Sequence, residues 1–107
     1  MSNKRAIRRT LRRPIVAKLL FACLRDVIAR EGETRELFLS EPPKRCVQKA
    51  QVYYEFCEHH KESKRHDMAF KRSWKELVGA GLVTVVRNEN RHEMLGELSD
   101  WVYLERE

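Results

Sequence analysis

Six basic side chains, Lys4, Arg5, Arg8, Arg9, Arg12 and Arg13, stand within the first 13 residues, with no acid among them. The whole chain carries 22 Lys and Arg against 16 Asp and Glu, a net charge of +6. Without that arm the remainder is balanced, 16 bases against 16 acids. A polyanion is the natural partner of such a segment, because each phosphate it neutralises releases a condensed counterion. The competing reading is a solubilising tail that contacts nothing. A second basic cluster spans residues 61–75, where Lys61, Lys64, Arg65, Lys71, Arg72 and Lys75 face only Glu62 and Asp67, a local net of +4. Arg87, Asn88, Asn90, Arg91 and His92 form a third polar group further on.

Other chemistry is poorly provided for. Cys57 and His60 are three apart on a helical stretch, and with His59, His66 or His92 they can be assembled into a metal site on paper. No second ligand pair has zinc-finger spacing, and all four histidines lie on polar segments, so solvated histidines are the expectation. No Gly-x-Ser-x-Gly, no glycine-rich phosphate loop and no carboxylate pair with a supporting base occurs. The chain is expected to be non-enzymatic and to need no cofactor or metal.

At 107 residues, with 42% hydrophobic and 36% charged residues, one heavily charged globular domain is expected. No apolar run reaches 18 residues, and Lys18 and Arg25 interrupt the stretch after the arm, which argues against a spanning helix or a cleaved signal peptide. Cys23, Cys46 and Cys57 are an odd set without paired spacing and read as reduced thiols, which points to a cytoplasmic (nucleoid) or nuclear setting.

The elements that must position these groups follow from periodicity. Pro14 suits a first helical turn, and Ile15, Val16, Leu19, Leu20, Cys23, Leu24, Val27 and Ile28 form an amphipathic stripe that Gly32 ends. Residues 35–39, with Leu37, Phe38 and Leu39, predict a brief strand, broken by Pro42-Pro43. A second helix is predicted from about Val47 to His60. Asp67 is the expected N-cap of a third helix whose buried face is Phe70, Trp74, Leu77 and Val78, stopped by Gly79 and Gly81. On the opposite face lie Lys71, Arg72 and Lys75. Leu82–Val86 is the clearest strand. Asn88–Arg91 reads as a hairpin turn, returning through either Glu93–Leu98 or Trp101–Leu104.

That order predicts an α+β, mostly helical fold: a winged helix-turn-helix of three helices plus a β-hairpin wing over residues 14–107, with a basic arm at 1–13. In this architecture the third helix enters the major groove and the loop between the last strands reaches phosphate or the minor groove. Winged helices also serve as protein-interaction modules, so a docking role in a larger assembly, or RNA binding through the arm, stays open.

The chain resembles, over residues 14–87, the winged-helix domain of the replication-initiator family, which comprises archaeal initiators and origin recognition complex subunits. The residues that carry the likeness are Ala17-Lys18-Leu19-Leu20-Phe21-Ala22, Val52-Tyr53-Tyr54-Glu55-Phe56-Cys57-Glu58, Trp74-Lys75-Glu76-Leu77 and Gly81-Leu82-Val83. The resemblance implies double-stranded DNA binding, in replication initiation or transcription regulation, with other complex subunits as further partners and no membrane. The residues expected to contact DNA are Arg5, Arg8, Arg9, Arg12, Arg13, Lys64, Arg65, Lys71, Arg72, Lys75, Arg87, Asn90 and Arg91. The family's ATPase portion has no counterpart, since Gly-x-x-x-x-Gly-Lys-Ser/Thr is absent. Either an excised domain or a stand-alone protein sharing the module is expected. Arg65-His66-Asp67-Met68 also departs from the family's Thr/Ser-rich start of the recognition helix.

Overall fold

The computed structural model describes residues 14–60 and 66–105. The arm, and with it Arg5, Arg8, Arg9, Arg12 and Arg13, lies outside the described residues, as do Lys64 and Arg65.

Helix α1 (Pro14–Glu31) buries Leu20, Cys23, Leu24, Val27 and Ile28 of the predicted stripe, and Ala17 beside them. Its end is built by two residues. Gly32 donates its N–H to the Ile28 carbonyl at 3.0 Å, and a Cβ there would stand 2.4 Å from that oxygen. The Arg45 guanidinium then reaches back, Nε to the Ile28 carbonyl at 3.0 Å and Nη2 to that of Ala29 at 3.2 Å. A cation on the last carbonyls satisfies orphan acceptors and complements the helix dipole.

Strand β1 (Glu33–Arg35) pairs antiparallel with β2 (Lys44–Gln48), Glu33 opposite Cys46 and Arg35 opposite Lys44. The strand expected at 35–39 is therefore displaced. Leu37, Phe38 and Leu39 belong to the connection, because pairing stops at Arg35 and Pro42 and Pro43 have no N–H to extend it. Phe38 rests edge-on against Tyr103, with ring centroids 6.4 Å apart, and Leu39 is fully exposed.

Helix α2 (Lys49–His59) starts two residues later than the periodicity predicts. Val47 and Gln48 are paired with Val102 and Trp101, and strand backbone cannot serve a helix at the same time. Gln48 forms the junction, its N–H donating to the Gln51 side chain at 2.8 Å.

Helix α3 (His66–Gly79) buries Ala69, Phe70, Ser73, Trp74 and Leu77. Val78, expected on that face, is 40% exposed. Asp67 lies inside the first turn rather than before it, and its carboxylate accepts the Tyr53 hydroxyl. The helix closes in a Schellman arrangement: Gly81 at φ 74°, Leu82 N–H to the Leu77 carbonyl at 3.1 Å, and Gly81 N–H to that of Val78 at 3.0 Å. Glycine reaches that positive φ without steric cost.

Strand β3 (Val83–Val86) returns through β4 (Trp101–Leu104), the second of the two predicted alternatives. Residues 93–98 turn instead and run into a 3₁₀ helix at Gly96–Ser99. Both β2 and β3 pair with β4, giving the sheet order β1-β2-β4-β3, antiparallel throughout. The three helices pack with Val47, Val83 and Val102 of the sheet into one core centred on Leu20, Leu24, Val52, Phe56 and Trp74. Each such fully buried aliphatic or aromatic side chain contributes about 1.5–3 kcal/mol. The described residues thus form a small α+β unit of three helices and a four-stranded antiparallel sheet.

Candidate nucleic-acid interface

Burial of Phe70, Trp74 and Leu77 fixes the rotation of α3, and the same rotation turns Lys71, Arg72 and Lys75 outward. All three are exposed and make no ion pair among the described residues. Lys71 and Lys75 are one turn apart and stand at the lip of a cleft of about 770 Å³. Its far wall is the connection between β3 and β4, through Leu95, Glu97 and Leu98. Tyr53, Phe70 and Trp74 line its inner side with Lys49.

The connection is a constructed loop rather than a tight turn. Asn88 is buried, its N–H donating to Asp100 Oδ1 at 3.0 Å and its side-chain amide to the Ser99 carbonyl at 3.0 Å. Its Oδ1 accepts the Asn90 N–H at 2.9 Å. Ser99 Oγ accepts the His92 N–H at 2.9 Å. The Arg91 guanidinium grips Asp100 through both carboxylate oxygens. Burial pushes the Asp100 carboxyl up, but the bonds from Arg91 and the Asn88 N–H overcome it and hold the group below its ordinary value.

The residues expected to touch DNA therefore divide. Lys71, Arg72 and Lys75 share one open side of α3, while Arg87 and Asn90 are exposed on the connection. Arg91 does not join them as a free cation, because its charge is committed to Asp100. Sequence reasoning missed Lys49. It is the first residue of α2, half-buried, with its ammonium 5.0 Å from the centroid of Trp74 and 6.0 Å from that of Phe70. Burial lowers its pKa; Glu97 and Asp100 act against this, while Lys71 and Arg91 reinforce it. Nothing in its neighbourhood in the sequence distinguishes it from a surface lysine at a helix start.

Elsewhere, Phe21, Leu77 and Leu82 line a shallower groove of about 230 Å³, flanked by Lys18 and Arg25. Among the described residues no group of three His, Cys, Asp or Glu could hold a metal ion, and no helix is long and apolar enough to cross a membrane. Comparison with protein families, curated proteins and solved structures finds no match.

Proposed function

We propose that this protein binds double-stranded DNA as a winged helix-turn-helix, with α3 in the major groove and the connection between β3 and β4 as the wing. The element order supports this reading: a strand before the second helix, β2, shares β4 with β3, and β3 leaves α3 directly into the wing. The observation that carries it is the set of Lys71, Arg72 and Lys75, which lie on the outer side of the third helix and make no ion pair among the described residues. The basic arm adds a phosphate-binding segment. A role in replication initiation or transcription regulation rests on the resemblance to replication initiators.

In this reading Arg72 meets a base edge, since a guanidinium pairs bidentately with guanine O6 and N7, whereas Lys71 and Lys75 meet phosphates as point charges. The test is a salt-dependent titration against duplex DNA, single-stranded DNA and RNA. Arg72→Ala relaxes discrimination at one base pair, at a cost of about 1–3 kcal/mol. Lys75→Ala weakens all duplexes alike and lowers the salt slope by about one unit. A chain lacking residues 1–13 loses most of the remaining salt dependence. A folded Lys71, Arg72 and Lys75 triple-alanine variant that binds duplex as the parent does would sink the reading. The groove at Phe21, Leu77 and Leu82 favours a second reading, a protein-interaction winged helix; it gains if that triple variant keeps its function while Leu82→Glu loses it.

A further inference from the structure

We propose that the cleft between α3 and the β3–β4 connection is a binding site for a small organic anion with a flat apolar body, and that Lys49 is its anchoring cation. The inference turns on a residue that the duplex reading leaves idle, and it shares Lys71 and Lys75 with that reading.

Lys49 is placed against three electrostatic gradients at once. Its side chain is half-buried, and burial disfavours the charged form. It occupies the first position of α2, where the helix dipole repels a cation. It makes no ion pair among the described residues. The nearby carboxylates do little to compensate. Asp100 is occupied by Arg91 and the Asn88 N–H, and Asp67 by the Tyr53 hydroxyl. Glu97 on the far wall and Asp100 both attract it, but they do not outweigh its burial. The faces of Trp74 and Phe70 supply a cation–π contact, which offsets part of the desolvation.

A carboxylate or sulfonate entering the cleft completes what the fold leaves open. It gives Lys49 a charge-assisted partner, with Lys71 and Lys75 at the lip raising the local potential. Leu95, Leu98 and Tyr53 offer the apolar surface for the body of the molecule. At about 770 Å³ the space lies within the ordinary range for small-molecule sites and exceeds what a single inorganic anion fills. A ring system bearing one acidic group matches both the size and the placing of apolar Leu95 and Leu98 opposite the cationic Lys49.

The experiment titrates the full chain by calorimetry with 2-naphthoate and with its neutral isostere 2-naphthamide, for the parent, Lys49→Met and Leu95→Asp. The naphthoate is expected to bind at least about tenfold more tightly than the amide. Lys49→Met should erase that preference while leaving the melting temperature within a few degrees of the parent. Leu95→Asp, which sets a carboxylate on the opposite wall, should weaken the naphthoate more than the amide and serves as the readout if Lys49→Met does not fold. Equal affinity for acid and amide, a Lys49→Met or Leu95→Asp variant that keeps the full preference, or no saturable binding of naphthoate up to about 1 mM overturns the proposal.

Discussion

Arg91 closes on Asp100 through two parallel hydrogen bonds, Nε to Oδ1 at 2.9 Å and Nη2 to Oδ2 at 2.7 Å. Asp100 is 4% exposed, so the pair fastens the base of the connection from within. Arg91→Ala leaves the buried Asp100 carboxylate with the Asn88 N–H as its remaining hydrogen bond from the connection, and the variant should be clearly less stable than the parent. Lys75→Ala should change stability by no more than about 0.5 kcal/mol. Urea denaturation of the two variants separates a structural arginine from a surface lysine.

The same pair sets the acid response. The carboxyl of Asp100 lies below its ordinary 3.8 in the folded protein. Its contribution is therefore whole above that value and is lost as pH falls through it toward the folded pKa. The stability gap between the parent and Asp100→Asn should be widest at neutral pH and narrow as pH falls below the ordinary carboxylate range. A constant gap down to about pH 3 would contradict the assignment.

The thiols respond at the other end of the scale. Burial, followed by the charges of Glu55 and Asp26, pushes the Cys23 thiol up to about 11 from 9.0. The folded state prefers the neutral thiol, so its contribution is complete below pH 9.0 and is lost as pH climbs toward about 11. In the native protein at pH 8 a disulfide reagent should modify Cys57 and leave Cys23 and Cys46, which are buried, until denaturant is added.

Neighbouring positions of α3 should respond in opposite directions. Trp74 is 5% exposed and stacks on Phe70 at 5.4 Å between centroids, so Trp74→Ala should cost about 3–5 kcal/mol. Ser73 is just as deep, and its hydroxyl has no hydrogen-bond partner among the described residues. Ser73→Ala removes an unsatisfied polar group and improves helix propensity, so it should be neutral or stabilising by about 1 kcal/mol. Thermal melts of both variants provide the check.

Elements with a clear period were legible in the sequence. The stripe that ends at Val27 and Ile28 and the Phe70, Trp74 and Leu77 face appear as helices where expected, and the outward placement of Lys71, Arg72 and Lys75 follows from the same rotation. Strand β2 was not legible. It offers only Cys46 and Val47 as apolar residues, and both blend into the periodicity of α2. What makes it a strand is pairing with β1 on one side and β4 on the other, a property of distant residues. The hairpin after β3 was legible, with its return strand as one of two alternatives, but the shape of its connection was not. Asn88–Arg91 has the composition of a tight turn, but the partner that shapes it is Asp100, far along the chain. Arg45 looks like one more surface base until its contacts with the end of α1 are seen.

Asp100 also accepts the Lys49 N–H on its own carbonyl, at 2.9 Å. Its main chain thus holds the first residue of α2, while its side chain holds Asn88 and Arg91 on the connection. The two segments cannot open one after the other without passing through this residue. In native-state hydrogen exchange the amides of Lys49 and Asn88 should accordingly belong to one cooperative unit, released together at a common free energy rather than as independently fraying ends.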